Sequence, residues 1–129
     1  MVHIDFDCIF HKGKHLPVPE IVEFRLTKNI EAPMGAFKCY GLYEYYFKVA
    51  CKVFQKHRDD LLGALDSFVH DPLLENMPHF NPSQTLEKIR KRVMFSESKS
   101  LEEGIHQIIE DSKNELCLKE MFSGWMPYM

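Results

Sequence analysis

The sequence predicts a mainly α domain with a short β-strand at its amino-terminal end, and three observations predict it. Apolar residues recur at three- and four-residue spacing through most of the chain, capping patterns precede several of these runs, and only the first few residues alternate like a strand. At 129 residues the chain supports one modest core. Hydrophobic residues at 45% and charged residues at 27% mark a globular composition and exclude a disordered tail. No apolar run approaches a bilayer span. Met1-Val2-His3-Ile4-Asp5 lacks a basic stretch leading into an apolar one, so an intracellular, reducing setting is expected rather than secretion. A net charge of -3 gives no general field for nucleic acid, and no direct nucleic-acid partner is expected.

Taken in order, Val2-His3-Ile4 alternates as a strand that runs into Asp5-Phe6-Asp7 and then a loop with Gly13, Pro17 and Pro19. Leu42, Tyr46, Val49, Val53 and Phe54 follow helical spacing after Gly41 and predict a long amphipathic helix to His57. Asp59 or Asp60 can cap a second helix, with Leu61, Leu62, Leu65, Phe68 and Val69 as its stripe and Asp71-Pro72 as its end. These two helices are expected to form an antiparallel pair. Asn81-Pro82-Ser83-Gln84 combines an N-cap with proline at the first helical position and starts a helix bearing Leu86, Ile89 and Val93. Ser100-Leu101-Glu102-Glu103 opens the next, through Ile105, Ile108 and Ile109. Ser112-Lys113-Asn114-Glu115 reads as another capping box for a last helix that runs through Leu116, Leu118 and Met121 to a C′ glycine at Gly124. The aromatic end that follows, with the sole Trp at 125, offers apolar area that is ordered only when it docks.

Several groups have the elements of a site. Asp5 and Asp7 at a strand end suit a hard cation, although an Asx turn uses the same residues. Cys8, His11 and His15 have a zinc-like spacing, but a fourth ligand such as Cys39 has to come from elsewhere, and a plain loop is the simpler reading. The four cysteines at 8, 39, 51 and 117 form no C-x-x-C pair, so no disulfide scaffold is indicated. Tyr40, Tyr43, Tyr45, Tyr46 and Phe47 read as core packing or an interface rather than a base-stacking surface, because Glu44 lies among them. Lys88, Arg90, Lys91 and Arg92 read as a solvated helix face before a phosphate site.

Three motifs then occur in a family order. VHIDFDCIF, from Val2 to Phe10, looks like the strand and metal-binding Asp motif of a kinase, with DFD in place of DFG. PEIVEFRLTKNI, Pro19 to Ile30, looks like the end of the activation loop, and FVHDPLLE, Phe68 to Glu75, like the closing helix of the catalytic lobe. The tail EGIHQIIEDSKNELCLKEMFSGWMPYM matches the FATC domain. Together they resemble the carboxyl-terminal end of the phosphatidylinositol 3-kinase-related protein kinases, most closely the ATR-type checkpoint kinases. The likeness leaves out only the stretch from about Met77 to Lys99.

The resemblance implies a C-lobe segment of the PI3/PI4-kinase-like fold over residues 1–76, a divergent linker and helix over 77–99, and an FATC helical tail over 100–129. It makes Asp5 the Mg²⁺ ligand and places Asp5, Phe6, Asp7, Pro19 and Glu20 in an activation loop of about residues 5–20. It makes Phe122, Gly124, Trp125, Pro127 and Tyr128 the docking residues of the tail. Mg²⁺ and ATP are the cofactors of the full-length Ser/Thr kinase, and neither is expected to bind this piece alone, because no catalytic-loop residue lies in it. The implied partners are the remainder of the kinase polypeptide, protein substrates and a regulatory protein; the implied location is the nucleus. Glu23 stands where the family has Pro, Glu44-Tyr45 where it has a basic pair, and Met126 where the target-of-rapamycin branch has Cys. The alternative is a free-standing FATC-type module that docks on a partner kinase or a membrane surface.

Overall fold

The computed structural model describes residues 10, 12–75, 80–95, 100–122 and 124. Among these residues the protein is helical with no β-strand, in line with the mainly α expectation. The strand expected at Val2–Ile4 lies outside the described residues. The chain divides into two compact units, Met1–Tyr43 with His106–Met129, and Glu44–Ile105.

The first unit holds α1 (Lys28–Glu31), the first residues of α2 (Leu42–Lys56), most of α6 (Leu101–Ser112) and α7 (Glu115–Glu120). Its buried residues include Leu26, Thr27, Glu31, Cys39, Ile109, Ser112 and Leu118. Thr27 starts α1 through its backbone, its carbonyl accepting the Ile30 and Glu31 N–H groups at 2.9 and 3.0 Å. Short 3₁₀ turns at Ala32–Met34 and Lys38–Tyr40 carry the chain onward, and the turn between them needs Gly35, whose φ of 83° is disfavoured for residues with a side chain.

The second unit is built on α3 (Arg58–Val69), α4 (Pro72–Glu75) and α5 (Pro82–Met94) with most of α2. The expected α2–α3 pair is not the pairing found: α3 packs along α5. Arg58 at the start of α3 donates to Met94 Sδ at the end of α5, so these helices run antiparallel. His57 alone joins α2 to α3, and hydrogen bonds run through it from Val53 to Leu61, which leaves no loop to reverse the chain. Asp59 and Asp60 do not cap α3; they lie in its first turn, where their charge still suits the helix dipole, and His57 occupies the N-cap with no side-chain bond to the helix backbone, its ring meeting Asp60 Oδ2 at 3.3 Å instead. Val69 is fully buried, and Asp71-Pro72 closes α3 as expected.

Two of the other caps follow the sequence. Asn81 Oδ1 accepts the Gln84 N–H at 2.9 Å with Pro82 at the first helical position, and Ser100 Oγ accepts the Glu103 N–H at 3.1 Å. The Ser112 cap does not form. Ser112 is the buried last residue of α6, and its hydroxyl has no hydrogen-bond partner among the described residues. Asn114 caps α7 instead, accepting from the Leu116 and Cys117 N–H groups at 3.0 and 3.4 Å. A cap needs extended backbone, which Asn114 has at ψ 113° and a residue still inside α6 does not. Nor does α7 reach Gly124: it stops at Glu120, because Met121 turns extended at ψ 175° and buries its side chain.

The apolar stripe of α2 has the predicted spacing and an unexpected location. Leu42 is 74% exposed and Tyr46 63%, and Val49, Val53 and Phe54 are also exposed; Cys51 is the buried residue of the helix. Tyr45 and Tyr46 meet edge to face at 5.3 Å on this surface. Of core packing or an interface, the geometry of these two tyrosines favours the interface.

Candidate functional site

The described part of the predicted activation loop begins with a 3₁₀ turn at Lys12–His15 and closes on itself. The Gly13 carbonyl accepts the Glu20 N–H at 2.9 Å, and the Glu20 side chain covers the space a Cβ at residue 13 would need. A side chain at residue 13 would have to displace the Glu20 carboxylate. Pro17 and Pro19 limit the backbone between these two points. Leu16, Pro17, Val18, Pro19 and Glu20 line a groove of about 380 Å³ together with Met121 and Phe122. Loop and tail therefore meet, although 100 residues of sequence separate them. Phe122 remains 57% exposed at the mouth of that groove.

Beyond the loop, residues 26–40 are fastened to α6 and α7 at several points. The Ser112 carbonyl accepts the Leu26 N–H at 3.0 Å, and Lys28 pairs with Glu115 at 2.5 Å. The Glu115 carboxyl is held below its ordinary range by the Lys28 hydrogen bond and charge. Inside the segment, the fully buried Cys39 thiol donates to Glu31 Oε1 at 2.9 Å. Burial and then the Glu31 carboxylate push this thiol up to about 11, so it stays protonated and unreactive near neutrality. A thiol committed in this way is no fourth ligand for a zinc site. Of that group, His15 lies in the 3₁₀ turn, and Cys8 and His11 lie outside the described residues.

Tyr40 is the centre of the last fastening. Its hydroxyl donates to Glu110 and accepts from Lys113, whose ammonium also stands 4.4 Å from the Tyr40 ring centre and 3.2 Å from Glu110. The His106 ring lies 5.7 Å from the Tyr40 ring. Burial and the Glu110 hydrogen bond raise the Tyr40 phenol, and the Tyr40 hydrogen bond lowers the Glu110 carboxyl. Burial works to lower the Lys113 ammonium, yet the Tyr40 and Glu110 hydrogen bonds outweigh it and the net shift is upward. Each shift favours the charge state that keeps the group together near neutrality.

Of the residues expected in a site, Pro19 and Glu20 are placed on the exposed loop, with Phe122 beside them. Gly124 is exposed and lies beyond the C-cap of α7 at Met121, so it is not the C′ residue of that helix. Asp5, Phe6, Asp7, Trp125, Pro127 and Tyr128 lie outside the described residues. Among the described residues no group of three or more His, Cys, Asp or Glu side chains is placed to hold a metal ion, and no helix is long and apolar enough to cross a membrane. Two groupings went unread in the sequence: Tyr40–Glu110–Lys113 and Glu31–Cys39. The first joins residues 70 and 73 positions apart, where no local spacing signals contact.

A family profile described as phosphatidylinositol 3- and 4-kinase matches residues 1–77. The serine/threonine-protein kinase MEC1 of Candida albicans is 36% identical over 135 residues, taking in 100% of this chain and 6% of that protein. The protein kinase rad3 of Schizosaccharomyces pombe is 32% identical over 140 residues, 98% of this chain and 6% of that protein. The serine/threonine-protein kinase ATR of Arabidopsis thaliana is 30% identical over 140 residues, 98% of this chain and 5% of that protein. The chain thus spans 5–6% of the length of these curated relatives.

Proposed function

Because the chain belongs to the phosphatidylinositol 3- and 4-kinase family, on its ATR-type protein-kinase branch, we propose that it supplies the end of the catalytic lobe and the FATC segment of a Ser/Thr protein kinase. That kinase acts in DNA-damage checkpoint signalling in the nucleus. The observation that carries this reading is the similarity, over nearly the whole chain, to three protein kinases, MEC1, rad3 and ATR.

In this reading residues 5–20 form the activation loop that sets a protein substrate beside the γ-phosphate, and residues 100–129 form the FATC segment that supports it. The shared groove of Leu16–Glu20 with Met121 and Phe122 supports that division of labour. Mg²⁺ and ATP supply the transferable phosphoryl group and neutralise its developing charge when bound. Asp5 takes its proposed Mg²⁺ role from the DFD motif and lies outside the described residues. The residues present do not by themselves make a nucleotide site, and the chain in isolation is proposed to be inactive. The exposed α2 stripe supports a larger body, because apolar area of that extent is normally covered.

The test is phosphoryl transfer by the full-length polypeptide, captured from cells with an antibody to residues 100–120 and supplied with radiolabelled ATP and Mg²⁺. Label is expected in protein Ser and Thr and absent from phosphatidylinositol vesicles. Label confined to the lipid would contradict the protein-kinase reading.

A further inference from the structure

We propose that Tyr40, Glu110 and Lys113 form a latch that positions the activation loop, with Tyr40 as its hub, an inference that rests on the kinase reading above. The three side chains come from two places in the chain, the 3₁₀ turn at Lys38–Tyr40 and the end of α6, where Glu110 lies in the last turn and Lys113 just after it. One phenol hydroxyl serves both neighbours: its proton goes to the carboxylate and its lone pair takes the ammonium. Tyrosine joins, in one residue, a hydroxyl that both donates and accepts to a flat ring that can lie under a cation.

Position gives the latch its consequence. Residues 26–40 begin a few residues after the loop and are pinned to α6 at both ends, by Leu26 to Ser112 at one and by Tyr40 at the other. Gly35, with its φ of 83°, lies between the two pins and allows the segment to swing if either is released. Leu26 is buried and its pin is a backbone bond, so it resists local change; Tyr40 is 40% exposed, so it is the pin that opens first. An isolated surface ion pair contributes little, but here a cation, an anion and a phenol share one geometry, and each fixes the others. Releasing Tyr40 frees the stem on which the substrate-facing loop stands, and this affects the grip on protein substrate before it affects the grip on ATP. The three residues are positioning residues.

The experiment compares Tyr40→Phe, Glu110→Gln and the exchange Glu110→Lys/Lys113→Glu in the full-length polypeptide. Tyr40→Phe keeps the ring on His106 and removes both hydrogen bonds. It is expected to raise KM for a protein substrate about five- to tenfold and leave kcat and KM for ATP within about twofold. Glu110→Gln is expected to act in the same direction. The exchange keeps one carboxylate and one ammonium beside the phenol, and it is expected to restore KM to within about twofold of the unsubstituted protein.

Hydrogen exchange read on the same samples separates the latch from the enzyme. Amides of residues 26–41 are expected to exchange about five- to tenfold faster in Tyr40→Phe and at the original rate in the exchanged pair. Unchanged exchange in Tyr40→Phe overturns the latch. Faster exchange with an unchanged KM for protein overturns its positioning role and leaves the kinase reading standing. If the unsubstituted polypeptide transfers no phosphate, the kinase reading and the positioning role fall together, and the exchange data still decide whether the latch exists.

Discussion

Asp5→Asn in the full-length polypeptide is expected to lower phosphoryl transfer to protein about 10²–10³-fold, about 2.7–4 kcal/mol of transition-state stabilisation. The substitution keeps the size of the side chain and removes its charge, so the loss falls on the electrostatics of the site rather than on packing. Kinases hold Mg²⁺ with the Asp carboxylate of a DFG-type motif, and the proposed kinase reading gives that role to Asp5 of the DFD sequence here. Two measurements check it together: initial rates on a Ser/Thr substrate and the affinity for ATP in the presence of Mg²⁺. Both are expected to fall while far-ultraviolet circular dichroism stays unchanged. Rates within twofold of the unsubstituted protein would remove Asp5 from the site.

The second large effect concerns the buried face of α6. Ile109 is 0% exposed on α6, and Ile109→Ala is expected to lower local stability by about 2–5 kcal/mol through lost apolar burial and the cavity left behind. Leu116 on α7 is 72% exposed, and Leu116→Ala is expected to cost about 0.5 kcal/mol or less. Native-state hydrogen exchange of the α6 amides measures both without requiring a global unfolding transition. Protection should fall about 30-fold or more in the first variant and stay nearly constant in the second. Equal responses would mean that burial on α6 does not hold this helix in place.

The contrast between Ile109 and Tyr46 shows how far the sequence could be read. Helical periodicity placed both on apolar faces, and periodicity reports only that a face is apolar. It cannot distinguish a face buried within the chain from one left for another surface, so Ile105 and Ile109 proved to be core and the α2 stripe proved to be exposed. Caps were legible where the capping side chain and its N–H lie within one turn, as at Asn81 and Ser100. They were misread at Ser112, where the S-x-x-E pattern straddles a break between helices and Asn114, already extended, does the capping. The α3–α5 pairing was hidden because a one-residue joint at His57 blocks the sequential pairing that short helices usually make.

The support of the loop was not legible in the sequence. Pro19 and Glu20 were placed by a contiguous motif, and the structure sets them in a groove shared with Phe122. Tyr40, Glu110 and Lys113 are each ordinary in sequence. Their contact exists only once residues 26–40 lie against α6, a consequence of tertiary packing that local pattern cannot encode.

Sequencing the transcript on the 5′ side of the Val2 codon tests most directly whether this chain closes a kinase lobe. In-frame codons for a catalytic loop, with its base Asp and second metal-binding Asn, are expected immediately upstream. Stop codons or unrelated sequence in that position would contradict it.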